Sequence, residues 1–113
     1  AKNAASDVFA RFAELTAAQT PPLYLGCLLG GPGPEAVIAR LRADGKTRAC
    51  LMPFFALSGY HAARDMAGKG ENSWRSRIAG HGIPCRAHLR GMLEYERFAD
   101  MWIARLREAL ASL

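Results

Sequence analysis

Hydrophobic positions along this chain alternate between a helical period and short unbroken apolar runs. Over residues 4–17, Val8, Phe9, Phe12, Ala13 and Leu15 recur at helical spacing with Asp7, Arg11 and Glu14 between them, which predicts an amphipathic helix. After Thr20-Pro21-Pro22 comes LYLGCLL (residues 23–29), bounded by proline before it and by Gly30-Gly31-Pro32-Gly33 after it. That is the pattern of a buried parallel strand ending in a loop. Pro34 then stands in the first turn of PEAVIARLRADG, where its missing N–H costs nothing, and Gly45 closes a second helix.

The order repeats. ACLMPFFAL (49–57) reads as a second buried strand, followed by the polar, glycine-punctuated stretch 58–72 and a helix from Ser73 to Ala79 ended by Gly80-His81-Gly82. Asn72 or Ser73 is expected to cap that helix and Trp74 to cover the loop. IPCRAHL (83–89) reads as a third strand, and beyond Arg90-Gly91 a long helix carries Phe98, Met101, Trp102, Leu106 and Leu110 on one stripe. Strands alternating with helices predict an α/β fold, an open and mostly parallel sheet of three to four strands flanked by helices. No linker or repeat interrupts it, so residues 1–113 are expected to form a single α/β domain.

Composition adds charge and compartment. Fifteen Lys and Arg against ten Asp and Glu leave a net charge of +5, a surplus that favours an anionic partner. Cys27, Cys50 and Cys85 are odd in number, far apart and set in apolar runs, which predicts buried reduced thiols rather than a disulfide frame or a zinc site. No apolar stretch reaches bilayer length, and residues 1–7 lack the apolar centre of a signal peptide. A cytoplasmic protein without membrane attachment is expected, with an upstream leader left open because the chain does not begin with Met.

In open parallel sheets ligands sit beyond the carboxyl ends of the strands, here the loops after Leu28, Ala56 and Leu89. The GGPG turn has neither dinucleotide-fingerprint nor P-loop spacing and reads as a tight turn. The second loop carries His61, whose imidazole can offer a nitrogen to a metal or take a proton, the plain alternative being a satisfied loop histidine. His81, between two glycines at a helix end, reads as a cap, and His88 lies on a strand with Arg86 and Arg90 near it. None of the three has the spacing of a local His-x-x-x-His site, so a metal site must be assembled from distant loops. There is no Gly-x-Ser-x-Gly elbow, no Cys-x-x-Cys and no basic-aromatic nucleic-acid pattern, so nucleic acid is not the expected partner. Arg64 and Arg90 stand out of a basic group in the later loops as candidates for ligand carboxylates.

LMPFFALSGYHAARDMAG followed by ENSWRSRIAGHGIPC resembles the signature of the anaerobic, class II cobalt chelatases (sirohydrochlorin cobaltochelatases), whose C-terminal domain runs LMP, a few apolar residues, GDHAxNDMAG, a short acidic stretch and SW. Leu51, Met52, Pro53, Gly59, His61, Ala62, Asp65, Met66, Ala67, Gly68, Ser73 and Trp74 carry the match. Weaker similarity runs outward through LYLGCLLGGPG and LRGMLEYERF. The resemblance covers nearly the whole chain but only the second of the family's duplicated halves. It implies a half domain closing on a partner half around a tetrapyrrole, with His61 as catalytic and metal-contacting residue. Partner ligands in the family are a histidine near the end of the first half and a loop glutamate. Around such a tetrapyrrole Gly59, Tyr60, Arg64 and Arg90 are substrate-binding candidates, Tyr60 by stacking and the arginines by pairing with carboxylates, and the resemblance implies a cobalt ion as metal substrate with nickel and iron as alternatives. The loop glutamate aligns with Leu29, the Asp before the histidine is Tyr60 here, and the upstream histidine would precede Ala1.

Two readings follow. In the first, the chain is the C-terminal domain of an enzyme inserting Co²⁺ into sirohydrochlorin or a related tetrapyrrole during cobalamin biosynthesis, completed by an N-terminal half, a second copy or a homo-oligomer. In the second it is a non-catalytic tetrapyrrole- or metal-binding homologue that has lost the glutamate. A basic α/β interaction domain is the residual alternative.

Overall fold

The computed structural model describes residues 4–113, which form two compact units divided between Thr47 and Arg48. Residues 1–3, the start of the segment read above for a leader, lie outside the described residues.

In the first unit, α1 spans Ala4–Ala17 and α2 spans Pro34–Ala43. Thr16 is buried near the end of α1, where its Oγ1 donates to the Ala13 carbonyl (3.0 Å) and its own carbonyl accepts the Leu23 N–H (3.3 Å). In α2, Val37, Ile38 and Leu41 are buried at i, i+1 and i+4, the apolar stripe of an amphipathic helix. Gly45 ends it at φ +65, letting the Gly45 N–H reach the Arg42 carbonyl (3.0 Å) and the Lys46 N–H reach that of Leu41 (2.9 Å), a closure that satisfies two orphan carbonyls. Tyr24 donates its hydroxyl to Asp44 Oδ2 (2.6 Å) beneath the Arg40 guanidinium.

Residues 23–29, expected to be a strand, do not form one. The Leu23 N–H is taken by Thr16 and the Cys27 N–H by the Pro32 carbonyl (2.8 Å), so the run ties its donors into its own helix end and turn rather than into a ladder. Gly30 makes the turn at φ +70, and Leu29 at its tip is 91% exposed.

In the second unit β1 (Ala49–Leu51) and β2 (Cys85–Ala87) pair in parallel, Ala49 opposite Cys85 and Leu51 opposite Ala87. The α/β class therefore holds, with a small open parallel sheet that has two strands among the described residues rather than three to four. Both strands are shorter than the apolar runs that contain them. Pro53 has no N–H to continue the β1 ladder, and Pro84 precedes β2. Between the strands run a π-helical turn (Ala62–Met66) and α3 (Trp74–Gly80), which packs against β2 and that turn. Ile78, Ile83, Ala62 and Met66 are the buried apolar residues here. A 3-10 turn (Met92–Glu94) then leads into α4 (Glu96–Ala111). The expected stripe of α4 is helical, with Phe98 half-buried and Met101, Trp102, Leu106 and Leu110 exposed, Trp102 at 62%.

The cysteines are free thiols, as expected, yet none is fully buried and Cys50 is exposed. Strand alternation puts Cys50 on the face opposite Ala49 and Leu51, beside its exposed cross-strand partner Arg86. Cys85 is half-buried, which pushes its thiol pKa up.

After β2 the chain returns along the segment leaving β1. The Met92 and Leu93 N–H groups donate to the Phe55 (2.8 Å) and Ala56 (3.1 Å) carbonyls. Gly91 makes this fit: a Cβ there would lie 2.6 Å from the Ala56 oxygen and from the Leu57 Cα. Gly91→Ala is expected to cost about 1–3 kcal/mol, because the obstruction is backbone and cannot swing aside. Gly59→Ala, whose Cβ would meet nothing within 4 Å, is the control. Urea unfolding midpoints check both, and an unchanged Gly91→Ala midpoint would contradict the fit.

Candidate functional site

The segment leaving β1 becomes helical at Tyr60 and His61, with the Ala63 N–H bonded to the Gly59 carbonyl (3.1 Å). The Ala67 N–H then reaches back five residues to Ala62 (3.1 Å), and the wider turn closes. Ala62 is fully buried and Met66 nearly so, four residues apart on one face. Polar residues 60, 61, 64 and 65 are thereby left on the other side. At the exit the Gly68 N–H bonds to the Arg64 carbonyl (3.2 Å), so close that a Cβ at Gly68 would collide with that oxygen. Buried Ser73 caps α3 as expected, accepting from the Ser76 N–H (3.1 Å) while donating to the Gly68 carbonyl (2.7 Å). The small residues of this stretch serve close backbone approach.

On the outer side stands a ring of contacts. His61 Nδ1 lies 2.8 Å from Asp65 Oδ2. Arg64 donates through Nε to Asp65 Oδ1 (2.5 Å) and through Nη2 to Asp65 Oδ2 (3.1 Å). Its Nη1 donates to the Tyr60 hydroxyl (3.0 Å), and its guanidinium carbon sits 4.6 Å from the centroid of the Tyr60 ring. Tyr60 in turn meets the His61 ring edge-on, centroids 5.9 Å apart. The His61 side chain is 70% exposed, and its Nε2 has no partner among the described residues. The Arg64 hydrogen bonds, then that of His61, hold the Asp65 carboxyl down to about 2. The hydrogen bonds Arg64 makes to Asp65, and then to Tyr60, push its own pKa up.

Of the residues singled out in the sequence, Tyr60, His61 and Arg64 come together on one turn, with Gly59 at its entrance. Arg90 makes its contacts elsewhere, Nη2 donating to the Glu94 carbonyl (2.6 Å) and the guanidinium stacked 4.4 Å over Tyr95. Its loop is nonetheless stitched to residues 55 and 56 through Met92 and Leu93. His81 stands at the C-cap of α3, and His88 follows β2, its N–H bonded to the Leu51 carbonyl (2.8 Å). No group of three metal-capable side chains occurs among the described residues, so His61 has only Asp65 beside it and belongs to no larger ligand set there. Asp65 is the member the sequence reading left without a role. Its signal was His-x-x-x-Asp on a helical turn, an i,i+4 pair.

Comparison with known proteins adds the wider context. The family profile described as "Cobalt chelatase (CbiK)" matches residues 1–111. The chain is 32% identical over 112 residues to sirohydrochlorin cobaltochelatase CbiKC of Nitratidesulfovibrio vulgaris, covering 99% of this chain and 40% of that protein. It is 34% identical over 110 residues to sirohydrochlorin cobaltochelatase of Salmonella typhimurium, covering 95% of this chain and 42% of that protein. It therefore spans about two fifths of the length of these relatives. Among the described residues no helix is long and apolar enough to cross a membrane.

The lowered pKa of Asp65 fixes the sign of a pH effect. The folded state holds this proton less tightly than the unfolded chain, so the stability the contact contributes is present above the ordinary carboxylate range and is lost as pH falls towards about 2. A carboxyl-carbon NMR titration should place the Asp65 midpoint near 2, and Arg64→Ala should move it upward. An ordinary midpoint in the unaltered chain would show that the ring of contacts does not persist in solution.

Proposed function

The chain belongs to the cobalt chelatase (CbiK) family, and on that premise we propose that it acts as one α/β domain of a sirohydrochlorin cobaltochelatase. The reaction is exchange: a divalent metal enters the tetrapyrrole as pyrrole N–H protons leave. His61 contacts the incoming Co²⁺ through Nε2, a neutral imidazole nitrogen being a suitable donor for late first-row ions. The observation that carries this reading is the exposed His61 ring, engaged at Nδ1 and unengaged at Nε2, within a sequence matched to the family almost from end to end.

The substrate is a polycarboxylate, in keeping with the +5 charge. Three of the five Arg64 N–H groups are spent on Asp65 and Tyr60, which leaves the others for a ligand carboxylate. Tyr60, 67% exposed, offers a ring face beside the metal, Gly59 gives room at the entrance, and Arg90 serves a second carboxylate. The remaining metal ligands and the far wall of the cleft come from a second α/β half, in the same polypeptide or in a second copy, which accords with relatives more than twice this length. The setting is cytoplasmic cobalamin biosynthesis.

One observation favours the second reading, a binder that does not insert metal: the loop position aligned with the family's glutamate is Leu29, an exposed side chain with no donor or acceptor atom. A single assay separates the two. With the longest available form of the protein, Co²⁺ insertion into sirohydrochlorin followed by absorbance should fall about 100-fold or more in His61→Ala. Ni²⁺ and Fe²⁺ run in parallel identify the preferred metal. Equal rates in both proteins would remove His61 from the chemistry, and tetrapyrrole binding without insertion in either would establish the binder.

A further inference from the structure

Four residues on and just before the π-helical turn form two i,i+4 pairs side by side, Tyr60 with Arg64 and His61 with Asp65, cross-linked between Arg64 and Asp65 and again between the two rings. Tyr60, His61 and Arg64 are exposed and Asp65 is half-buried, and ion pairs this open to water contribute little to stability. The consequence of the ring therefore falls on the geometry of His61.

We infer that Asp65 is a positioning residue that sets the tautomer and orientation of His61, and that Arg64, braced on Tyr60, clamps the carboxylate that does so. The inference rests on the reading of His61 as the metal-contacting residue. A neutral imidazole carries one N–H and one lone pair, and only the nitrogen with the lone pair can bind a metal. An unrestrained imidazole in water prefers its proton on Nε2, here the outward nitrogen, which would present a donor to a cation. An ionised carboxylate accepts only, so the 2.8 Å contact with Asp65 requires the proton on Nδ1 and leaves the lone pair on Nε2.

A carboxylate on a single methylene can rotate away. Arg64 opposes this by engaging both Asp65 oxygens, and its own long side chain is held by the Tyr60 ring face and hydroxyl. Partners of this kind orient metal-binding histidines generally, and their loss weakens metal binding by about 10–100-fold.

The test uses the chain with ¹⁵N-labelled histidine, observed by long-range ¹H–¹⁵N correlation at a pH where the imidazole is neutral, with amide spectra to confirm folding. The unaltered chain should show His61 protonated on Nδ1. Asp65→Ala should move the proton to Nε2 and weaken Co²⁺ binding at His61 by about 10–100-fold. Arg64→Met should give a mixture of tautomers, and Arg64→Lys, which keeps the charge but not the two-point grip, should not restore the original. A His61 protonated on Nε2 in the unaltered chain, or a tautomer and affinity unmoved by Asp65→Ala, would overturn the assignment of Asp65. An Arg64→Met chain with the original tautomer would overturn the clamp. If the tautomer shifts as stated while Co²⁺ never perturbs His61, the positioning role stands and the function proposed above falls.

Discussion

Burial of Ala62 and Met66 is the constraint on which the candidate site depends. On a helical turn, residues four apart share a face, so sinking these two fixes the rotation of the turn about its axis and sends residues 60, 61, 64 and 65 outward. The magnitudes rank the causes. Burying a methionine side chain is worth about 1.5–3 kcal/mol, whereas exposed ion pairs such as those of Arg64 and Asp65 are worth roughly 0–1 kcal/mol. The apolar anchors decide where the turn lies. The polar ring then decides how His61 is held on it.

Close backbone contacts keep that turn attached to the sheet. At one end, Ser73 links the Gly68 carbonyl to the first turn of α3, which itself packs on β2. At the other, the chain beyond β2 lies against residues 55–57 because Gly91 has no side chain. A loop fastened at both ends to regular structure can carry a functional side chain with little wandering, as sites on rigid scaffolds require. The cluster of small residues around His61 thus reflects tight packing below the turn as much as space above it.

Much of this was legible in the residues. Helical periodicity located α1 and α4, Pro34 and Gly45 marked the limits of α2, and Ser73 announced the cap of α3. The alternation of strands and helices gave the parallel pairing of β1 and β2. What failed did so for physical reasons. The run 23–29 is apolar enough for a strand, but hydrophobicity does not say where an N–H will go, and Thr16 and Pro32 take those of Leu23 and Cys27. Apolar runs also overstated the length of β1, because Pro53 ends the ladder without ending the hydrophobicity. Cys50 was read by its neighbours when its place in the strand alternation puts it beside exposed Arg86. Asp65 is not marked by His-x-x-x-His spacing, which asks for a second imidazole, whereas the residue four on from His61 is a carboxylate lying 2.8 Å from its Nδ1.

A solitary imidazole is a poor permanent home for a metal, and that bears on the proposed chemistry. Resident structural ions are held by closed sets of about four protein ligands, and no such set exists among the described residues. An ion that must pass into a macrocycle has the opposite requirement, since every bond the protein makes to it has to be broken before the tetrapyrrole nitrogens can complete their own. On the proposed reading a single well-aimed donor from this half, with its tautomer set in advance, gives the metal direction without deep retention. Affinity is then left to the other half and to the substrate. On that reading Leu29 cannot be the proton acceptor for the pyrrole N–H groups, because neither its side chain nor the GGPG turn offers a base. The identity of that acceptor is what divides an inserting enzyme from a protein that only binds.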